Sequence, residues 1–204
     1  RNRNVIISDC HLYENSGIGL YLDDVNLHQI NVSNSHISYN RQGGIVVRDG
    51  QVRNLHITGC DIEANMPGDD TPTKAANVLI DQSTSGRKTS IAEVAITGCT
   101  IQHSAHWGVS KRAPGGANIR ILGHAEHRPN MITITGNVLS DTTTHVHLNQ
   151  VMDVTLTGNT FFTTEPTDLL IEKSTRVNVS ANVFNPREPT SVGGIVVRDS
   201  SHCL

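Results

Sequence analysis

One eight-residue phrase, written seven times, constrains the fold of this chain more than any other feature. Its copies are VIISDCHL from Val5, INVSNSHI from Ile30, LHITGCDI from Leu55, VAITGCTI from Val94, ITITGNVL from Ile132, VTLTGNTF from Val154 and VNVSANVF from Val177. The first, third and eighth positions are always apolar, and the fourth is always Ser or Thr. Apolar alternation with period two marks a strand with one buried side. The fifth position holds Asp9, Asn34, Gly59, Gly98, Gly136, Gly158 and Ala181, residue types that mostly tolerate a left-handed backbone. The phrase therefore predicts a strand, a sharp corner, and a chain that turns inward again at Leu12, Ile37, Ile62, Ile101, Leu139, Phe161 and Phe184.

Between successive copies lies a second strand-like stretch: GIGLYL, GIVVRD, NVLIDQ, WGVSKR, HVHLNQ, DLLIEK and GIVVRD again. The seven residues GGIVVRD occur identically at 43–49 and 193–199, as one strand of a unit seen twice. A short third strand follows each corner, as in DIEAN. The sixth phrase positions are spaced by 25, 25, 39, 38, 22 and 23 residues. A unit of this size cannot bury its apolar side alone, but stacked units can. The expected architecture is all-β, a solenoid of about seven coils with three short strands each, forming one domain over 1–204.

These features resemble the right-handed parallel β-helix of the pectate-lyase-like superfamily. The resemblance rests on the ITGN/ITGC corner and on the N-x(2–4)-GI-x-V phrase, as in NSGIGL and NRQGGIVV, and covers essentially the whole chain. It implies a buried ladder of stacked Asn side chains behind the corner, matched by Asn137, Asn159 and Asn182. Cys10, Ser35, Cys60 and Cys99 replace Asn in the first four coils. Inward-facing Cys acts there as a small hydrophobe, although the stacking of Cys60 and Cys99 also permits a disulfide.

Composition narrows the partners. A net charge of −3 gives no electrostatic support for nucleic acid or an anionic membrane, and no apolar run approaches a membrane span. The chain opens inside a strand pattern, which suggests a piece of a longer or processed β-helix protein, continued in flanking sequence or in a homo-oligomer. A secreted or cell-surface location is the expectation, although no targeting signal can be read in this chain.

Outward residues of the GIVV-type strand point to a site. The first outward column reads Gly19, Val46, Leu79, Ser110, His147, Leu170 and Val196; the second reads Tyr21, Arg48, Asp81, Arg112, Asn149, Glu172 and Arg198. Long insertions at 66–76, 83–92 and 113–130 leave the ends of this face, and long loops on a rigid scaffold carry function. Arg48, Asp81, His106, Trp107, Lys111, Arg112 and His147 are expected to line a cleft, with Asp69 and Asp70 on its rim. Alternation of sign along Arg48, Asp81 and Arg112 also fits a cross-strand charge ladder with no catalytic duty. Asp81 and Glu172 stand three coils, roughly 14 Å, apart, too far for a glycosidase pair. A lyase needs a base and a cation beside a uronate carboxylate. Lys111, Arg112, His106 and Asp81 are the catalytic candidates for that chemistry, with Arg48, Trp107 and His147 as substrate-binding residues.

No cofactor is required by any motif. Calcium is left open by Asp69–Asp70, and zinc at His124–His127 is discounted for want of a further ligand at recognisable spacing. The rival reading is a non-catalytic module that binds carbohydrate or builds a surface-attachment fibre. It draws on the outward apolar column Val46, Leu79, Leu170 and Val196, which implies a covered face.

Overall fold

The computed structural model describes residues 2–84, 89–103, 113–185 and 193–203. All seven phrase strands lie in one sheet, side by side in chain order, and every ladder between them is parallel. The sheet has eight strands among the described residues, because Ser201–Cys203 pairs with Thr175–Ser180 beyond the last phrase. A second sheet wraps the rest of the coil. It contains the short strands His11–Tyr13, His36–Ser38, Asp61–Glu63 and Thr100–Gln102 on one face. Ile18–Asp23, Gly43–Arg48, Ala76–Asp81 and Ala117–Leu122 form the other face. The long strands Val138–Asn149 and Thr160–Glu172 run through both. Parallel strands stacked in this order make a parallel β-helix.

The corner follows from its fifth-position residues. Asp9, Asn34, Gly59, Gly98, Gly136, Gly158 and Ala181 all have positive φ, between 49° and 66°. Ala181 is the one that carries an apolar side chain there, and it is exposed. Ala181→Gly is expected to raise stability by about 0.5–1 kcal/mol, read as a higher urea midpoint at unchanged slope.

Inside the corner the apolar residues stack rung upon rung. Ile37, Ile62, Ile101, Leu139 and Phe161 are aligned and fully buried. Phe184 continues the column by stacking on Phe161 at 5.0 Å, yet it is 37% exposed rather than buried, since no described strand stacks beyond it.

The expected Asn ladder is present. Asn137 Nδ2 donates to Asn159 Oδ1 and to the Ile96 carbonyl, both at 3.0 Å; Asn159 Nδ2 donates to Asn182 Oδ1 and the Ile134 carbonyl, both at 2.9 Å. Asn182 is only half-buried, and its Nδ2 reaches the Leu156 carbonyl. The ladder passes into the cysteine corners through the Cys99 amide, which donates to Asn137 Oδ1 at 3.0 Å. Asn159→Leu removes an acceptor for the Asn137 amide and a donor to Ile134, leaving both groups buried. The expected cost is about 1–3 kcal/mol in chemical unfolding. Unchanged unfolding would contradict the ladder's role.

All four cysteines carry free thiols. Cys60 and Cys99 face each other in neighbouring corners. The hydrogen bond from the Cys99 thiol favours the Cys60 thiolate and lowers its pKa, while the same bond and burial raise that of Cys99.

Three expectations about the strands need correction. The slot between Ala76–Asp81 and Val138–Asn149 is filled by Ala117–Leu122, within the segment 113–130 that was expected as a loop. WGVSKR, expected in that slot, falls in residues 104–112, outside the described residues. The segment 83–92 likewise ends in strand, because Ser90–Thr97 begins before it closes. ANIRIL wins its slot through period-two Ile119 and Ile121, both fully buried against Val78, Ile80, Val146 and Leu148. In the first coil, Leu20 and Leu22 rather than Ile18 and Leu20 align with Ile45 and Val47. The outward columns therefore read Tyr21, Val46, Leu79, Arg120, His147, Leu170, Val196 and Asp23, Arg48, Asp81, Leu122, Asn149, Glu172, Arg198.

Candidate functional site

A second ladder, buried from Asn40 onward, organises the strands that carry these columns. Asn15, Asn40, Asn65, Asn77 and Asn118 each donate from Nδ2 to the Oδ1 of the next, at 2.7, 2.7, 3.0 and 2.9 Å, and Asn118 ends on His145 Nδ1 at 3.1 Å. His145 is thereby the acceptor at Nδ1, and its Nε2–H points at the Phe162 carbonyl, 3.0 Å away. Gly44 makes room for this line: a Cβ there would lie 2.5 Å from the Asn77 carbonyl and 2.9 Å from Asn65 Nδ2. The second glycine of the GGIVVRD phrase thus leaves the space that the ladder occupies.

On the outer side, the insertions pack over the sheet. Thr73 N–H donates to the Pro114 carbonyl at 2.8 Å, and Met66 is buried against Gly116. Beneath them Val46, Ala76, Leu79 and Ala117 form a small apolar cluster, flanked by Ile18 and Leu122. Part of the outward apolar column is thus covered by the chain's own loops. Arg120, absent from the expected site residues, holds those loops down. It is 6% exposed, and its guanidinium donates to the carbonyls of Lys74, Ala75 and Gly115. Burial lowers its pKa to about 10, with Asp81 opposing the shift, so it remains a cation at neutral pH.

From Arg120 a polar chain crosses the coils. Its Nε donates to His147 Nδ1 at 3.2 Å, and His147 Nε2 donates to Glu172 Oε2 at 3.0 Å. Asn149 and Arg198 complete the shell of Glu172 at 3.3 and 3.5 Å. Burial, then the Arg120 charge, lowers the His147 pKa. Burial alone would raise that of Glu172, but the His147 and Asn149 hydrogen bonds and the Arg198 charge outweigh it and lower the net value. Both ring nitrogens of His147 are engaged within this network.

Beside the covered cluster lies an open groove of about 380 Å³. Leu79, Leu122, Arg48 and Asp81 contribute to it from the sheet, Pro67 and Thr73–Ala75 from the first insertion, Arg41 and Gln42 from the preceding turn, and Ser83 and Thr84 from the far end. Arg48 donates to the Tyr21 hydroxyl at 2.9 Å and lies over its ring, which holds the guanidinium along the sheet. Asp81 accepts from the Ser83 amide at 2.9 Å and hydroxyl at 2.6 Å, a local turn that fixes the carboxylate. Among the described lining residues, three are cations (Arg41, Arg48 and Lys74) and one is an anion (Asp81).

The structure brings Arg48 and Asp81 together as expected from the outward column and adds Arg41 and Lys74. It places His147 in the neighbouring network. Asp69 and Asp70 are exposed on the loop, where Asp69 caps the Thr71 amide at 3.0 Å. His106, Trp107, Lys111 and Arg112 lie outside the described residues. The charge ladder does not run through Arg112, since Leu122 holds the position beside Asp81. Arg120 was legible in principle, from the alternation of ANIRIL. Arg41 and Lys74 carried no periodic signal.

Fold and repeat together define a parallel β-helix repeat protein. The family described as the right handed beta helix region matches residues 1–93, which span the first three corner phrases, the first insertion and the groove's Arg41, Arg48, Lys74 and Asp81. No curated protein and no solved structure matches the chain.

Proposed function

We propose that this β-helix binds an acidic, uronate-containing polysaccharide along the groove between the first insertion and the outward columns. The observation that carries the reading is the trio Arg41, Arg48 and Lys74 around an apolar floor of Leu79 and Leu122. Apolar patches accept sugar-ring C–H faces, and guanidinium groups pair bidentately with carboxylates, so acidic sugars are favoured over neutral ones. Asp81 is placed to accept from a sugar hydroxyl. A partner of this kind belongs outside the cell, which supports a secreted or cell-surface location.

A lyase acting on the same glycan is the second reading, and it keeps the pectate-lyase-like resemblance. Elimination would take the proton beside a carboxylate neutralised by Arg48, break the bond to the leaving glycosidic oxygen, and leave an unsaturated sugar. With His147 engaged at both nitrogens, Lys74 and Asp81 are the described groove groups for proton transfer. Lys111, Arg112 and His106 keep that role as sequence candidates. The test is to incubate the chain with a uronate oligomer and a neutral oligomer of equal length, with and without calcium. Calorimetry should show binding to the uronate that weakens with salt, and ultraviolet absorbance reads any unsaturated product. Product formation would make it a lyase; binding without product would make it a binding module. Equal affinity for both oligomers would overturn the reading.

A further inference from the structure

On the face of the short strands, away from the groove, three metal-ligating side chains converge. His36 and Asp61 are aligned partners in stacked strands, and Glu63 follows Asp61 on the same outward side. One donor atom from each lies within 4.8 Å of the others, and all three residues are half-buried. Rungs of a parallel sheet stand about 4.8 Å apart, so the strand register itself fixes this spacing.

His36 Nε2 sets the cluster apart from an ordinary surface ion pair. The atom is sealed from solvent although 39% of the side chain is exposed, and it makes no hydrogen bond. It lies 3.3 Å from Asp61 Oδ2, but off hydrogen-bonding geometry. Two ligands each about 2.1 Å from one ion stand about 3.0 Å apart at right angles and about 3.4 Å apart at the tetrahedral angle. The observed separation has the bite of two ligands on a common ion. His11 packs edge-on against His36, with centroids 5.4 Å apart at 85°, and holds the ring in place. The surroundings are anionic: after burial, Glu63, Asp61 and Glu14 are the groups that raise the pKa of nearby Tyr39.

We propose that His36, Asp61 and Glu63 form a site for a first-row divalent ion of the zinc class. One neutral imidazole and two carboxylates balance the ion's double charge, and three protein ligands leave a position open to water. The stems of the first insertion and of the Arg41 turn leave the same two rungs, at Asn65 and Asn40, so a bound ion would brace the base of the groove wall. The second histidine cluster, His124, Glu126 and His127, is less suited. Its rings stack at 28°, which keeps their in-plane lone pairs from converging, and His124 Nδ1 accepts from the Glu126 amide.

Cobalt(II) is the probe that separates these sites and the thiols. Titration of the full chain should give visible d–d absorption that saturates at one equivalent, without the near-ultraviolet charge-transfer band of a thiolate ligand. His36→Ala and Asp61→Asn should each weaken binding by about 100-fold, while the double variant His124→Ala/His127→Ala should bind as the parent does. Zinc should raise the parent's melting temperature and leave that of His36→Ala unchanged, which also shows that the variant is folded. A spectrum that survives His36→Ala, or that disappears with His124 and His127, would overturn the assignment.

Discussion

Lowering the pH from 6.5 to 3 should remove about 4 kcal/mol of stability through His145 alone, at a limiting slope of about 1.4 kcal/mol per unit. Burial drives its pKa from 6.5 down to about 3, only partly opposed by the hydrogen bond to the Phe162 carbonyl. The polarity of the second ladder supplies the structural reason. Asn118 spends its Oδ1 on Asn77 and its Nδ2 on His145 Nδ1, so a proton at Nδ1 would face a donor, and turning the amide would break the bond from Asn77. Above the unfolded-state value both folded and unfolded forms carry a neutral imidazole, and the contribution is fully present. As the pH falls toward the folded value, only the unfolded chain takes up the proton, and stability drains away. Asp168, whose Oδ1 lies 3.7 Å from His145 Nε2, has a pKa raised by burial, so the folded state protonates it more readily and recovers part of the loss. Urea unfolding at pH 7 and pH 5 should differ by about 2 kcal/mol more in the parent than in His145→Asn, which can accept from Asn118 but does not titrate. Equal losses in the two proteins would show that His145 takes its proton without unfolding.

The same ladder marks what a single sequence discloses. Asn137, Asn159 and Asn182 recur at one phrase position, so their stacking is legible as soon as the phrases are aligned. The second ladder changes place midway. Asn15, Asn40 and Asn65 precede the GIVV-type strand of the coil, whereas Asn77, Asn118 and His145 sit within it, aligned with Gly44. Alignment by phrase hides such a switch, because the line depends on which backbone leaves room and not on spacing. Left-handed bends show a similar divide. Gly59, Gly98, Gly136 and Gly158 announce theirs, while Gln29, Glu93, Met131 and Arg176 are held at positive φ by the stack with no local preference for it. Ala117–Leu122 was displaced for a related reason. WGVSKR follows its corner at the customary offset, and the stronger alternation of ANIRIL begins ten residues later in the chain.

Half of the candidate groove was legible for equally physical reasons. Arg48 and Asp81 project from strands whose inward neighbours are Val and Ile, so alternation alone turns them outward together. Arg41 and Lys74 belong to turns whose course is decided by tertiary packing. Lys74 is brought to the groove because Arg120 binds its carbonyl and that of Ala75, and Arg41 lies against Gly68 of the same insertion. No sequence period encodes those contacts.

The groove's cations make the most direct test of the functional account. Binding of a uronate oligomer should be measured by calorimetry for the parent, for Arg48→Ala and for the combined Arg41→Ala/Arg48→Ala/Lys74→Ala variant, at low and high salt. Charge-assisted hydrogen bonds contribute about 1.5–3 kcal/mol each, so the single change should weaken binding at least tenfold. The combined change should weaken it by about 100-fold or more and flatten the salt dependence, because screening acts on the charges removed. All three residues are at least partly exposed and leave the core and both ladders intact, so the variants should unfold as the parent does. Undiminished affinity in the folded combined variant, with the parent's salt dependence, would place the glycan elsewhere and contradict the account.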